Sequence, residues 1–209
     1  MPDYSLEQQA EIVAGVDEAG RGPLAGPVVA AAVILNPEKI PKGVNDSKMV
    51  SPAKREKLFE EINSTAIVGV SIIGIGDIDR LNILGATKLA MRNAVAALAK
   101  TPNLVLVDGN QAPGLSVKTQ TVVKGDSKSF SIAAASIIAK VTRDRIMHQL
   151  HEEFPEFGWN SNMGYGSSTH MEALEKYGIT AHHRRSFAPV RIAAERGLIY
   201  EKKKQLALL

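Results

Sequence analysis

Short apolar runs, separated by Gly, Pro and polar residues, predict five β-strands. The first two are continuous apolar runs of the kind found in buried strands, and the connection between them is rich in Gly and Pro, so we expect a hairpin. The predicted strands are residues 12–16, 28–35, 66–75, 104–107 and 117–123.

Helix-terminal residues and apolar periodicity predict three main helices. Ser51 followed by Pro52 is typical of a helix start, and Pro102 is expected to stop the second helix. The third helix repeats apolar residues at intervals of three and four, as a packed face requires. These helices are predicted over about 52–62, 81–100 and 129–154, with shorter ones over about 169–177 and near the C-terminus.

This order of elements predicts an α/β fold with an antiparallel beginning. A doubly wound sheet would instead alternate strand and helix from its first strand. The length of 209 residues suits one domain. We therefore expect residues 1–209 to form a single domain, with about 155–209 as its C-terminal helical part.

Composition and charge exclude several classes of protein. The chain contains no cysteine, which excludes disulfides, thiolate zinc sites and cysteine nucleophiles. No run reaches the ~18 consecutive apolar residues of a membrane span, and the polar, acidic N-terminal segment does not resemble a signal peptide. We therefore expect a cytoplasmic protein. The net charge of +3 permits a polyanionic partner without requiring one.

Acidic residues follow three of the predicted strands. Asp17 and Glu18 close the first strand, Asp108 the fourth and Asp126 the fifth. Acids at the ends of neighbouring strands can converge at one edge of a sheet. Four carboxylates held together would repel one another, and two divalent cations would neutralise them. Because every donor is an oxygen, Mg²⁺ or Mn²⁺ is expected, and two such ions are the usual device for phosphodiester hydrolysis.

A structural role competes with metal binding at each of these positions. An acid after a strand is often a turn residue or a helix N-cap, and Asp126 before Ser127 suits a cap. Asp17 and Glu18 are adjacent, so on a regular strand their side chains face opposite ways. Both are expected to reach one site only if the strand ends or bulges there.

The glycine-rich segment from Gly20 to Ala25 matches the dinucleotide-binding fingerprint G-x-G-x-x-A. That fingerprint requires a helix to begin there and hold a pyrophosphate, whereas Pro27 and an apolar, strand-like run follow here. The alternative is a loop whose glycines let the backbone approach a nucleic-acid sugar or phosphate, with Arg21 supplying charge.

Six short motifs follow one another along residues 12–190. They are GVDEAGRGP at 15–23, NDSK at 45–48, DGN at 108–110, KGDS at 124–127, AAASIIAKVTRD at 133–144 and HRRSF at 183–187. Any one of them could occur by chance, but six in order are specific. Together they resemble bacterial ribonuclease HII, the type 2 ribonuclease H family, over nearly the whole chain.

The resemblance implies a ribonuclease H-like fold, in which helices flank a five-stranded mixed sheet and a C-terminal helical extension follows. It implies a metal-dependent endonuclease that hydrolyses the RNA strand of RNA–DNA hybrids. It also implies incision 5′ to a single ribonucleotide embedded in duplex DNA, leaving 3′-hydroxyl and 5′-phosphate ends. These nucleic acids are the implied partners; no membrane and no obligate protein partner is expected, and the chain is expected to be a monomer.

The resemblance also assigns roles to individual residues. In the family, a Gly-Arg-Gly loop contacts the ribonucleotide 2′-hydroxyl through its backbone, and the tyrosine of a Gly-Tyr-x-Thr-x-x-His segment stacks on the next sugar. This chain has Ser167 where that segment has threonine. The implied catalytic and metal-binding residues are Asp17, Glu18, Asp108 and Asp126. The implied substrate-binding residues are Gly20, Arg21, Gly22, Ser47, Lys48 and Tyr165.

Two other classes of function stay open from the sequence. A nucleic-acid-binding module with an inactive site is one, although intact acids at all four positions argue against it. A nicotinamide-dependent enzyme built on the glycine loop is the other. Among the remaining polar and aromatic residues, His170 is expected to orient the tyrosine loop and Trp159 to pack in a core. The basic residues from Lys54 to Lys57 and the Lys202–Lys204 tail are expected to be solvated.

Overall fold

Five strands and six α-helices form within residues 2–200, which are the residues that the computed structural model describes. The Lys202–Lys204 tail lies outside these residues. The strands are β1 (Val13–Ala19), β2 (Val28–Ile34), β3 (Ile67–Ile73), β4 (Leu104–Asp108) and β5 (Lys118–Val122). The α-helices are α1 (Pro52–Thr65), α2 (Ile75–Ala96), α3 (Phe130–Glu153), α4 (Trp159–Asn162), α5 (Ser168–Tyr177) and α6 (Ala188–Glu195).

The strands form one mixed sheet in the order β3-β2-β1-β4-β5. β1 pairs with β2 and β2 pairs with β3 in antiparallel fashion, whereas β4 is parallel to both β1 and β5. The predicted hairpin and the predicted five-stranded mixed sheet are both confirmed. β1 lies in the middle of the sheet, and its carboxyl-end residues pair with β2 alone, because its pairing with β4 stops at Val16.

Two compact units make up the chain. The first contains the sheet and consists of residues up to Arg21 together with Pro27–Arg143. The second consists of Gly22–Gly26 and the residues from Asp144 onward. The single-domain organisation expected from the sequence stays a prediction. One buried cluster in the first unit contains Val13, Leu104, Leu106, Val122 and Ile132, and one in the second contains Phe157, Trp159, Leu174, Ile179 and Val190.

Helix α2 begins and ends earlier than the predicted 81–100, and a break inside it separates two helical segments. Asn82 has a φ of 56° and a ψ of 170°, outside the helical region. Its Oδ1 accepts hydrogen bonds from the amides of Leu84 (3.0 Å) and Gly85 (3.1 Å). The side chain therefore caps the second segment as an N-cap residue does, and apolar periodicity alone does not reveal the first segment.

A close approach of α3 to β1 requires a glycine at position 15. A Cβ atom at Gly15 would lie 2.1 Å from the backbone carbon of Ser131. The first turn of α3 is fixed there by Glu7, whose Oε1 accepts hydrogen bonds from the Ser131 amide (2.8 Å) and from the hydroxyls of Ser129 and Ser131 (2.6 and 2.8 Å). The chain therefore has no freedom to widen this contact.

We expect Gly15→Ala to lower the free energy of unfolding by about 1–3 kcal/mol or more, because the added methyl overlaps backbone atoms that cannot move aside. Urea unfolding measures the change. Gly76→Ala is the matched control: nothing lies within 4 Å of its Cβ position and it is in a helix, so it should be neutral or stabilising by up to about 1 kcal/mol. Equal stability of the two variants would contradict the close approach.

Candidate active site

Acidic side chains converge where the pairing between β1 and β4 stops. The last parallel pair between these strands is Val16 with Val107, and Asp17 and Asp108 are the next residue on each strand. Repulsion from Glu18 and Asp108 contributes to raising the pKa of Asp17, which places the three carboxylates within electrostatic reach of one another. Asp17 is buried, with only 6% of its surface exposed.

The expectation that β1 ends or bulges at these acids is wrong. β1 continues to Ala19, and Asp17 and Glu18 pair in regular register with Ala31 and Ala30 of β2. On its opposite edge, however, β1 loses its partner, because the pairing with β4 stops after residue 16. There the carboxylate of Asp17 accepts a hydrogen bond from the Glu18 amide at 2.7 Å. The acids therefore lie where β1 and β4 stop pairing, and not at an end or a bulge of β1.

Asp126 reaches the group from a turn and does not close β5 as predicted. β5 ends at Val122, and Asp126 lies four residues later in a 3-10 turn, Gly125–Ser127. The left-handed backbone of Lys124 (φ 55°) redirects the chain before that turn. The amide of Gly125 donates a hydrogen bond to Asp108 Oδ1 at 2.6 Å, which ties the turn to the end of β4.

Asp126 is not the helix cap that its sequence position allowed. The cap of α3 is Ser129, whose hydroxyl accepts a hydrogen bond from the amide of Ile132 at 3.2 Å. Burial raises the pKa of Asp126, and repulsion from Asp46 and Asp108 adds to the increase. The Asp126 carboxylate therefore does not cap α3 and interacts electrostatically with the other acids.

Burial and mutual repulsion dominate the electrostatics of the group. Burial is the largest cause of the raised pKa values of Asp17, Glu18 and Asp126. Arg21 opposes it at Glu18, with Nη1 placed 3.2 Å from Oε1. Lys48 lowers the pKa of both Glu18 and Asp126. These cations only partly offset the concentrated negative charge, because the raised pKa values persist beside them.

The donor chemistry of this group fits a divalent cation. All of its ligating atoms are carboxylate oxygens, the donors that Mg²⁺ and Mn²⁺ prefer. A bound cation would relieve the repulsion that raises the pKa values. Within residues 2–200, no three His, Asp or Glu side chains stand in ready-made coordination geometry.

Ser136 is a site residue that sequence reasoning missed. It lies on α3 and its hydrogen bond to Asp17 lowers the pKa of that carboxyl. Its hydroxyl oxygen also lies 2.8 Å from the hydroxyl oxygen of Ser47, within hydrogen-bond distance. Ser47 is itself buried (4% exposed), so its contact is with the protein interior. The one signal for Ser136 was a hydroxyl in an otherwise apolar helical run.

Arg55 fixes the loop that carries Ser47 and Lys48. Its Nε donates to the Ser47 carbonyl at 2.9 Å and its Nη2 to the Val50 carbonyl at 3.0 Å. The expectation of a solvated basic face is therefore wrong for Arg55. The same expectation agrees with Lys57, whose side chain is 78% exposed.

The glycine loop begins at Gly20, a position that only glycine can occupy. Gly20 has a φ of +95°, and a Cβ there would lie 2.1 Å from Nε of Arg143. Arg143 is buried and donates from Nε to the Pro27 carbonyl at 3.0 Å. Arg21, next in the loop, has a half-exposed side chain (51%). β2 follows the loop directly, so the helix that dinucleotide binding requires is absent there.

Gly22 and Tyr165 come together in the second unit. A Cβ at Gly22 would lie 3.1 Å from Cε1 of Tyr165, so the ring lies against the glycine. The Tyr165 side chain is exposed (51%). Ser167 caps α5 by accepting a hydrogen bond from the His170 amide at 3.3 Å. Threonine carries the same hydroxyl, so this departure from the family pattern keeps the cap.

Comparison with known proteins identifies the family. The sequence model of Ribonuclease HII matches residues 14–190. The chain belongs to the ribonuclease HII family. A Ribonuclease HII from Magnetococcus marinus is 53% identical over 200 residues, which cover 91% of this chain and 94% of that protein. The resemblance drawn from the six motifs is therefore confirmed, and the family is one of type 2 ribonuclease H endonucleases.

Solved structures of ribonuclease HII relatives share the fold. The ribonuclease H2 of Pyrococcus horikoshii is 30% identical with a TM-score of 0.74, over 88% of this chain and 98% of that one. The ribonuclease HII of Archaeoglobus fulgidus, solved as a complex with PCNA, is 30% identical with a TM-score of 0.71, over 83% and 93% of the two chains. The predicted ribonuclease H-like fold is confirmed. No helix within residues 2–200 is long and apolar enough to cross a membrane.

The raised pKa of Asp17 predicts a stability cost at neutral pH. The folded protein holds this proton more tightly than the unfolded chain does, where the pKa is 3.8. In the absence of divalent ions, the free energy of unfolding therefore falls as the pH rises from the ordinary pKa through the raised one. Asp17→Asn removes the buried charge, and its amide oxygen can still accept from the Glu18 amide. We expect this variant to be more stable than the native protein near neutral pH.

Thermal unfolding in a chelating buffer measures this difference, at roughly 2–4 °C for each kcal/mol. The advantage of Asp17→Asn should vanish below about pH 4, where the native carboxyl is also protonated. Asp77→Asn is the control, because Asp77 forms only a surface ion pair with Arg80, and its effect should stay within about 1 kcal/mol. An Asp17→Asn protein less stable than the native one at neutral pH would contradict the raised pKa of Asp17.

Proposed function

We propose that this chain hydrolyses the RNA strand of RNA–DNA hybrids and cuts 5′ to single ribonucleotides embedded in duplex DNA, leaving 3′-hydroxyl and 5′-phosphate ends. Membership of the ribonuclease HII family supports ribonuclease H endonuclease activity on RNA–DNA hybrids. The observation that carries the finer proposal is the group of repelling carboxylates, Asp17, Glu18, Asp108 and Asp126, at the open end of β1 and β4.

These four carboxylates would hold two divalent cations, Mg²⁺ or Mn²⁺. When bound, such ions supply an activated water and stabilise the leaving oxygen in phosphodiester hydrolysis. The protein's own part is to bury the carboxylates and orient them. Ser136 hydrogen-bonds Asp17, and the Gly125 amide holds Asp108. Arg21 and Lys48 supply positive charge that can attract the phosphates of a nucleic acid.

Choice of RNA over DNA must depend on the 2′-hydroxyl, which is the chemical group that differs at a given site. In this proposal the backbone of Gly20, Arg21 and Gly22 approaches that hydroxyl. The two glycines permit the approach because they have no Cβ atom. Tyr165 stacks on the following sugar; its exposed ring is available for that contact. Lys48 contacts a phosphate. Ser47 acts from within by holding Ser136 beside Asp17.

The nucleic acid is the proposed partner of this chain. The PCNA complex of the Archaeoglobus fulgidus relative makes a protein partner conceivable in the family, so the expectation that this chain needs no obligate protein partner and is a monomer stays a prediction. The cytoplasmic location also stays a prediction.

The first test is cleavage of an end-labelled DNA duplex that carries one ribonucleotide, with Mg²⁺, with Mn²⁺ and with a chelator. We expect one metal-dependent cut directly 5′ to the ribonucleotide and no cut in an all-DNA duplex. Asp17→Asn and Asp108→Asn should each lower the rate by roughly 10²-fold or more. The reason is that metal ions stabilise the charge that develops in the transition state by several kcal/mol.

Binding of the same duplex separates an enzyme from a binding module. Asp17→Asn should retain affinity for the hybrid while losing cleavage, and the surface control Asp77→Asn should keep both. A folded native protein that binds the duplex but cuts with neither metal would overturn the proposed function in favour of a nucleic-acid-binding module. Near-normal cleavage by Asp17→Asn would overturn the metal-binding assignment.

Tyr165→Ala should weaken cleavage at a single ribonucleotide by about tenfold, the scale of one lost stacking contact. The fold should persist, because this side chain is exposed. Steady-state kinetics with the single-ribonucleotide duplex measure the loss, and Tyr165→Phe, which keeps the ring, should stay close to the native protein. If Tyr165→Ala unfolds the protein, the residue is structural and the stacking role is wrong.

A further inference from the structure

Two histidines with almost no exposed surface are hydrogen-bonded to each other in the second unit. His170 on α5 is 0% exposed and His183 is 1% exposed. Their Nε2 atoms are 3.0 Å apart. Two ring nitrogens at this distance share one proton, so one ring must donate and the other must accept.

The surroundings of His183 decide which ring donates. The amide of Thr180 donates to Nδ1 of His183 at 2.9 Å. The hydroxyl of Thr180 is also 2.9 Å from that nitrogen, and its oxygen already accepts from the His182 amide at 3.1 Å. Nδ1 of His183 is therefore an acceptor. The neutral ring must carry its proton on Nε2, from which it donates to His170.

His170 consequently accepts at Nε2 and carries its own proton on Nδ1. That nitrogen lies 2.9 Å from the carbonyl oxygen of Tyr165, to which it donates. The indole of Trp159 also donates to Nε2 of His170, at 3.3 Å. Both rings stay neutral: burial lowers the pKa of His170, and burial together with the two neighbouring histidines lowers the pKa of His183 to about 3.

We propose that His183 and His170 are positioning residues for Tyr165, acting as a directed hydrogen-bond chain from Thr180 through both rings to the Tyr165 carbonyl. The proposal rests on the proposed function, in which Tyr165 contacts the substrate. The Tyr165 carbonyl also accepts from the Ser167 amide at 2.8 Å. The histidine chain adds an anchor in the buried core to this local turn, and so limits where the exposed ring can go.

Small displacements of this loop matter because the ring lies directly beside Gly22, in space that only the missing Cβ leaves open. A Cβ at Gly22 would already lie 3.1 Å from Cε1 of Tyr165. A shift of a few tenths of an ångström in the Tyr165 backbone would change how the ring lies against the glycine loop. The histidine chain therefore affects substrate binding without touching the substrate.

Two substitutions at His183 separate its two hydrogen bonds. In His183→Asn the amide oxygen takes the place of Nδ1 and can accept from Thr180, but nothing reaches His170. In His183→Gln the amide nitrogen reaches the place of Nε2 and can donate to His170. For the single-ribonucleotide duplex, we expect His183→Asn to raise KM about tenfold with kcat changed less than about twofold, as for a lost buried hydrogen bond. His183→Gln should restore most of the loss.

A double-mutant cycle tests whether this effect passes through Tyr165. If His183 acts by positioning Tyr165, then His183→Asn should change KM by less than about twofold in a Tyr165→Ala background. A full tenfold effect in that background would mean that His183 acts elsewhere, and would overturn the proposal. Thermal unfolding of each variant checks that it is folded, and the tautomers of the two histidines in the native protein carry the test if His183→Asn is not.

Nitrogen-15 NMR of the native protein tests the chain without any activity measurement. Near neutral pH we expect His183 as the neutral Nε2–H tautomer and His170 as the neutral Nδ1–H tautomer. Fluorescence of Trp159, the one tryptophan in the sequence, should change more in His183→Asn than in His183→Gln. The opposite tautomers, or a charged ring, would overturn the chain.

The outcomes distinguish this proposal from the proposed function. If the folded native protein cuts no ribonucleotide substrate, the proposed function fails, while the tautomers still report on the hydrogen-bond chain. If the native protein cuts and His183→Asn has an unchanged KM, the positioning role alone is wrong.

Discussion

Asp17 lies on the central strand, just past its last pair with β4, with almost no access to water, and Glu18 and Asp108 repel it there. A lone buried carboxylate is costly, and neighbours of the same sign increase that cost. The surrounding fold tolerates it by rigid construction. Gly15 lets α3 approach the sheet, and α3 brings Ser136 to Asp17. The site is therefore a pre-formed concentration of negative charge held by neutral packing.

The two units use different means to hold their polar groups. The first unit keeps charge, which Arg21 and Lys48 offset only in part. The second unit contains the His170 and His183 rings, which stay neutral and fully hydrogen-bonded because a charge there would have no compensation. Unpaired charge suits a place where a cation is to bind. Neutral, directed hydrogen bonds suit a place where geometry is to be kept.

Local patterns predicted much of this fold, and long-range contacts account for what they did not predict. Apolar runs are visible in any window of the sequence, and all five strands were found from them. The break at Asn82 was not found, because a left-handed asparagine inside a helix depends on capping by its own side chain. Asp126 lies within electrostatic reach of Asp108, but its position in a turn, in place of the predicted end of β5, depends on the backbone of Lys124.

The roles of single polar residues were the hardest to predict. A buried Ser47, a buried Ser136 and an anchoring Arg55 follow from contacts with distant segments, which no motif displays. The family resemblance supplied Tyr165 and His170 as members of one segment. It did not supply the direction of the hydrogen bonds, which depends on how Thr180 and His183 face each other.

The Glu7 carboxylate, which holds the first turn of α3, comes from a residue 124 positions earlier in the chain. During synthesis this partner leaves the ribosome long before the serines that it binds. The part of α3 that belongs to the first unit, up to Arg143, therefore cannot be completed locally, and its start must wait for closure of a very long loop. Folding of this unit is consequently tied to nearly the whole of its length having been made, which favours a late and cooperative final step.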